Sequence, residues 1–559
     1  LQGRCERQFQ PLISCLKKKA GRINSGQLLF LTFENADSAI LKPGKASYNA
    51  MRLKLILLFV IVLLSSTCLV RGQNSRPMRL EFQVSQNQRP YHVIPIGSKG
   101  ILLIYRTVDV KTGSKQSWVF SQYDVNLKKG WTQEFVAESE YGLKSEILKA
   151  GVLNILFTPI DKKGNNPQYS IISIDVSKGT LSSYTGVIPE KASFSTWEIL
   201  GQYCLLAYTN GSRQAQFLMV DKKTGQSTTF LPEETGRSIP KMILSDSIKN
   251  SFTIVYEWFK EKKASVYCIL RCDVNLSILS KNIIDLKSQD RSLNNLRVLQ
   301  YDSLTTLVLG SYTATSEKDF DKSREGSEEN TGLFTALMKD TVILASNFYN
   351  FLEFKNYYKR FRANDIIVPK ASDKKETSTN YYLNLHEPFL LNKTCVLLME
   401  AYYPEYHTVT NWVYDYYGHM IPTTTTVFDG YRYNNAFLAG VDSTAKLQWS
   451  NSMEINNILS LDLSKRINVL RDGENLVLSY SAEGKIASKV ISGNETINGL
   501  DYAPIELQST GDKLLSDDDS KMMYWYDNYL VCIGTQEIRN SSKSEPRRTV
   551  FYINKIALR

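Results

Sequence analysis

An apolar strand, a polar turn and a second apolar strand recur along this chain, and no other feature limits its fold as much. The first copy is Gly100–Tyr105 with Trp118–Asp124, and the second is Val152–Phe157 with Ile171–Asp175. Tyr203–Tyr208 with Phe217–Asp221 and Phe252–Tyr256 with Tyr267–Asp273 follow. The second strands of these four end at Asp124, Asp175, Asp221 and Asp273, which are 51, 46 and 52 residues apart. Four looser copies complete the series: 306–312 with 333–338, 395–403 with 436–442, 476–480 with 485–491, and 529–534 with 550–556. Short runs rich in Val, Ile, Tyr and Phe between Gly, Asn, Asp and Lys turns read as antiparallel sheet. A period of about 50 residues marks stacked supersecondary units, each unable to bury its apolar strands alone. The pattern predicts an all-β chain, a β-propeller of seven to eight blades, with two packed β domains as the alternative. A C-terminal strand over 551–558 is expected to pair with an early strand over 80–84 and close the ring. Convincing amphipathic helices are absent, and the best candidate, Leu459–Leu470, is short.

The N-terminal part reads differently. Residues 1–50 contain no Met and no sustained apolar period, which suggests an upstream extension. Met51, Arg52 and Lys54 precede the uncharged run 55–64, then Ser65, Ser66, Thr67 and Val70-Arg71-Gly72. That order is a signal peptide over 51–72, leaving 73–559 as one propeller-like domain. An uncleaved anchor is the first alternative, and a lipid anchor at Cys68 the second; otherwise no membrane contact is expected. The implied location is exported: periplasmic, outer-membrane-associated or extracellular. The net charge of +11 is concentrated here, because residues 1–72 hold 11 Lys and Arg against 3 Asp and Glu. The remaining chain is nearly neutral, and charge makes no case for nucleic acid. Its five cysteines, at 204, 268, 272, 395 and 532, sit in or at the ends of apolar runs and form neither a disulfide framework nor a zinc pattern.

The repeat is stretched in its second half by insertions at about 313–331 and 404–434. Two polar tracts, 316–331 and 371–380, read as solvated loops. The chain lacks the usual nucleophile-elbow, zinc-protease, phosphate-loop and dinucleotide motifs, and no cofactor is implied. The unusual segment is 401–434, dense in Tyr and carrying one Trp and two His. Tyr402, Tyr403, His407, Trp412, Tyr416, Tyr417, Tyr431 and Tyr433 are its candidate binding residues, since rigid rings with polar tips suit a glycan or a protein or peptide ligand. The same density also suits a hairpin whose rings cover the scaffold. His407 and His419 with Glu405 and Asp415 match no strong metal spacing, so no metal site is assigned. Glu387, Glu400 and Glu405 are the carboxylates a glycosidase would pair at a set separation. Asp517-Asp518-Asp519 reads as a solvated turn.

Within the same region, Phe428–Tyr433, Ala439–Asp442 and Leu447–Ile455 resemble a stretch shared by uncharacterised secreted proteins of Bacteroidetes-type bacteria. The resemblance implies an envelope or exported location and transfers no catalytic residues. Sequons stand at Asn210, Asn275, Asn392, Asn494 and Asn540. The expectation is a non-catalytic binding or scaffold protein, with a carbohydrate-active or other hydrolase on the same fold as the alternative.

Overall fold

The computed structural model describes residues 78–558 except 85–90, 109–114, 139–140, 160–167, 190, 261–264, 303, 315–328, 340–341, 356–365, 368–377, 415, 541 and 543–545. Strand counts, contacts and absences are those of the described residues. The upstream extension, the signal segment, Cys68, Asp415 and most of the two polar tracts lie outside them.

The described residues form nine antiparallel sheets. Eight follow one another along the chain as blades, and a small ninth joins Glu329–Asn330, Ser378–Asn380 and Ile366–Ile367. Asn330, Thr331 and Thr379 are buried there, so these ends of the two polar tracts are not solvated loops. Blades 1 to 4 span 92–138, 141–187, 193–230 and 238–284, and each is four consecutive strands in order. Blade 5 (291–350) and blade 7 (468–504) are also four-stranded, the strand Glu329–Asn330 of another sheet falling inside blade 5, and blade 6 (382–460) adds two short strands. Blade 8 takes three strands from 513–557 and its fourth from the opposite end of the chain. Arg79–Gln83 lies antiparallel to the last strand, with Leu80 opposite Ile553 and Phe82 opposite Phe551. First strands of neighbouring sheets lie beside one another, as 193–200 beside 238–246, so the first strands surround the axis. The chain is an eight-bladed β-propeller closed by its N-terminal strand.

The middle strands read as unbroken apolar runs because both their faces are buried. Successive side chains point to opposite faces. Along Val152–Pro159, Leu153, Ile155 and Phe157 pack toward blade 1 while Leu156 packs toward blade 3. In blade 3, Cys204, Leu206 and Tyr208 face blade 2, and Leu205 and Ala207 face blade 4. The same alternation yields eight apolar cores, one at each blade junction, the last joining blade 8 to blade 1. All five cysteines are buried and free, in line with their apolar settings.

The recurrent Asp has a local task. Asp124 Oδ1 accepts from the amides of Asn126 and Lys128, both at 2.8 Å, and Asp273 Oδ1 from those of Asn275 and Ser277 at 2.9 and 2.8 Å. Asp175, Asp221 and Asp442 bind the amides two or more residues ahead in the same way. A side-chain oxygen that mimics a backbone turn acceptor is why Asp follows the third strand of blades 1 to 4 and 6. The amides of Lys178 and Ser177 hold the Asp175 carboxyl below the usual range. A depressed carboxyl contributes stability above its unfolded pKa and loses it as pH falls through its folded pKa. Asp175→Asn, which keeps the acceptor oxygen, is expected to reduce the acid slope of Tm measured between pH 6 and pH 2, with little change at pH 7. An unchanged slope would remove this turn from the acid response.

A further expectation is corrected, and the short helix candidate does not form. Residues 459–470 form no helix; they hold the short strand Leu459–Ser460, an irregular stretch and the start of Asn468–Asp472. Glu400 binds this stretch through backbone amides, and that tertiary tie overrides the weak periodicity. Asp517–Asp519 is not a turn but lies within the strand Lys513–Tyr526, at a register shift between Asp518 and Lys521. Asp517 accepts from the Gly484 amide at 2.8 Å, and burial pushes its carboxyl up. Among the sequons, Asn540 is buried and donates to Asp512 at 2.7 Å, which removes it as a glycan acceptor in the folded chain.

Candidate functional site

The second and third strands of blade 6, Thr394–Tyr414 and Met420–Val441, are 21 and 22 residues long, against 7 for each of their counterparts in blade 3. Their inner parts are core: Cys395, Leu397, Met399, Phe437 and Ala439 are wholly buried. Beyond Tyr402 and before Tyr433 the pair leaves the blade as a two-stranded arm, which at strand rise extends roughly 35–40 Å. Its base has a register shift between Glu405 and Tyr406 and Gly430 opposite Glu405. Gly430 has φ 143°, and a Cβ there would meet the Ser460 carbonyl at 2.8 Å, so only glycine lets the 455–467 connection cross so closely.

The pairing of the two strands assigns their faces. Tyr406 lies opposite Phe428, Thr408 opposite Thr426, Thr410 opposite Thr424, Trp412 opposite Pro422 and Tyr414 opposite Met420. Directly opposed residues share a face. One face of the arm is therefore aromatic rings and threonines with Pro422 and Met420, and carries no carboxylate, amine, guanidinium or imidazole. Tyr406 and Phe428 are in ring contact, centroids 5.4 Å apart. Trp412 is 62% and Tyr414 72% exposed. The opposite face carries His407, Val409, Asn411, Val413, Ile421, Thr423, Thr425 and Val427. His407 Nδ1 hydrogen-bonds Asp429, and Arg432 pairs with Glu405 at the base. Apart from Asp415, residues 408–428 contain no Asp, Glu, Lys or Arg.

The eight residues singled out in the sequence thus divide into two groups. Tyr402, Tyr403, Tyr431 and Tyr433 root the arm in the blade. Tyr402 stacks on Tyr382 at 5.5 Å and meets Tyr431 edge-on at 5.6 Å; burial raises its hydroxyl pKa. Tyr403 meets Tyr381 at 5.6 Å, and Tyr433, 2% exposed, donates to the Ser464 carbonyl at 2.5 Å. His407, Trp412, Tyr416 and Tyr417 are exposed on the arm, the last two in edge-on contact at 5.5 Å at its tip.

The three carboxylates are held separately. Glu405 serves Arg432, and Glu387 lies 3.4 Å from Arg297 and 3.5 Å from Lys465. Glu400 is fully buried and accepts from His386 Nε2 at 2.7 Å, the Arg466 amide at 2.8 Å and the Ile467 amide at 2.7 Å. Burial holds the Lys465 ammonium below the usual lysine range, Glu387 opposing and Arg297 reinforcing this. No group of three His, Cys, Asp or Glu suited to a metal occurs among the described residues. Sequence reasoning named Glu387 and Glu400 without their partners, which stand 14 to 90 positions away in the chain.

No protein-family model matches the chain. No curated protein matches it either, and the Bacteroidetes-type resemblance rests on its own 428–455 residues. Among solved structures, several are similar at low scores. The β-propeller domain of the Trilobed protease from Pyrococcus furiosus is 11% identical over 74% of this chain and 93% of that one, with a TM-score of 0.33. Polysaccharide lyase Uly1 is 9% identical over 74% and 90%, TM-score 0.36. The dihydro-heme d1 dehydrogenase NirN is 10% identical over 87% and 77%, TM-score 0.40. At these values the likeness carries no argument, and activities of those proteins do not transfer.

Proposed function

We propose that this propeller is a non-catalytic binding protein whose contact surface is the aromatic face of the blade 6 arm, and that its ligand is a protein. The carrying observation is the pairing register, which puts Tyr406, Trp412, Tyr414, Met420 and Phe428 on one exposed, uncharged face. An isolated two-stranded ribbon is marginal in water, and an exposed strand edge with few charges invites pairing. Such a ribbon gains most by laying its rings on a partner and adding a strand at its edge. A glycan platform is disfavoured because that face lacks the carboxylates, amides and guanidinium groups that fix sugar hydroxyls. Export of the protein belongs to the same proposal and is tested by the N-terminal residue of the native protein.

The test places a photo-reactive side chain at position 412 or at 411 on the opposite face. Cross-linking to protein from 412 in an extract of the source cells, and much less from 411, is expected. Equal yields from both faces, or retention on insoluble polysaccharide that is lost with Trp412→Ala, would overturn the reading. Replacing 407–427 by Asn-Gly is expected to abolish the adduct and leave the Tm of the ring within about 2 °C, because the arm contributes little to any blade core.

A further inference from the structure

The repeat turns of blades 1 to 4 carry a substitution that the ring itself does not call for. The residue after the turn Asp is Val125, Val176, Lys222 and Val274 in succession. The valine is a packing residue: Val176 is 4% exposed in the core between blades 1 and 2, and Val274 packs at the junction of blades 3 and 4. Lys222 occupies the same backbone position. Its amide donates to the Gln202 carbonyl at 3.0 Å, as the Val176 amide donates to the Gly151 carbonyl at 3.1 Å. Blade 3 therefore sends an ammonium toward blade 2 where the repeat sends an isopropyl group.

A cleft of about 430 Å³ lies at that junction. Ser173, Ser182 and Ser183 line it from blade 2, and Gln202, Lys222 and Lys223 from blade 3, with no carboxylate in the lining. Lys222 Nζ donates to Asn154 Oδ1 at 2.9 Å, an oxygen that also accepts from Ser173 Oγ at 2.7 Å. Among the described residues it has no ion pair. The neighbouring Asp221 is not among the lining residues; its carboxylate accepts from the amides of Lys223 at 2.8 Å and Thr224 at 3.3 Å and from Gln202 Nε2 at 3.2 Å. Burial holds the Lys222 ammonium below the usual lysine range. A cation set into a packing position without a counter-charge is costly, and such local violations concentrate at functional sites.

We propose that the cleft between blades 2 and 3 binds a tetrahedral oxyanion, sulfate or phosphate, free or as a monoester. Lys222 and Lys223 supply the charge, and Gln202 and the serines supply hydrogen bonds. A tetrahedral group suits this set better than a carboxylate does. Ammonium donors act as point charges in several directions, whereas the planar fork matching a carboxylate is a guanidinium, and none lines the cleft. The volume exceeds what one small ion fills, leaving room for the organic part of an ester.

The test is calorimetric titration of the full chain at fixed ionic strength with inorganic phosphate, inorganic sulfate, phenyl phosphate and phenyl sulfate. Saturable binding of at least one of the four is expected, weakened at least tenfold in Lys222→Val. Tighter binding of the phenyl esters assigns the site to esterified groups, and tighter binding of the inorganic ions assigns it to the free anion. Without anion, Lys222→Val is expected to melt no lower than the parent chain, because it restores the residue of the other three turns. Lys222→Met, which keeps an unbranched stem, gives the same comparison if the valine chain fails to fold. Absence of saturable binding, equal binding by the variants, or a lower anion-free Tm in both variants would overturn the proposal.

Discussion

Removal of residues up to Val84 is expected to open the ring and abolish cooperative unfolding. The deletion strips the last strand of its partner and uncovers Phe551 and Ile553 in the core between blades 8 and 1. It also removes a buried charge network. The Arg79 side chain is fully buried and donates to Glu81 at 2.9 Å, Gln536 at 2.8 Å and Asn554 at 3.2 Å, with its guanidinium 4.5 Å from the centre of the Tyr552 ring. Arg548 completes the set, contacting Glu81 at 3.1 Å and Asp512 at 2.8 Å. Taking one member from such a network leaves the others buried and unpaired, so Arg79→Ala alone is expected to cost about 3–5 kcal/mol. Urea unfolding measures the loss, and hydrogen exchange should show residues 529–557 deprotected first. An unchanged midpoint after deletion of the strand would show that closure contributes nothing to stability.

Glu400→Ala is expected to have the second largest effect, again about 3–5 kcal/mol, because it strands His386 and the amides of Arg466 and Ile467 without their acceptor. Glu400→Gln keeps an acceptor oxygen and should lose roughly half as much. Exchange should quicken in 455–467, the connection that Glu400 ties to the blade. A uniform loss of protection across all eight blades would argue for a general packing defect instead.

The parts of this fold that were legible in the sequence are those buried on two faces. Every blade declared its middle strands, such as Tyr203–Thr209 and Ala215–Asp221, since both sides of each strand enter a core. The outer strands were silent because they carry little apolar surface: Ser227–Phe230 and Glu495–Pro504 are mostly exposed. Closure was legible from one end of the chain, where a strand-like run precedes the first complete unit. At the candidate site, ring density located the arm but not the point at which it leaves the blade. Tyr402 and Trp412 look alike in sequence, yet the first is stacked against Tyr382 and the second stands 62% exposed. The Asp of the repeat was visible as a marker, whereas its role as a turn acceptor depends on amide positions that spacing does not report. The odd Lys222 was hidden by the opposite problem, for a lysine in a turn is ordinary until the turns are superimposed.

The strand that closes the ring is the first described strand to be synthesised and the last to find its place. Arg79–Gln83 has to wait for residues 550–554, more than 460 positions downstream, so closure is a late event with a large loop to gather. Until then the segment is an unpaired strand bearing Phe82, and Arg79 and Glu81 give it charges that oppose premature association. Nothing in the pairing register distinguishes the strand of the same molecule from that of another copy; effective concentration makes the choice. Refolding at high protein concentration should therefore yield strand-exchanged dimers, each ring completed by its neighbour's N-terminus, which dilution before refolding prevents.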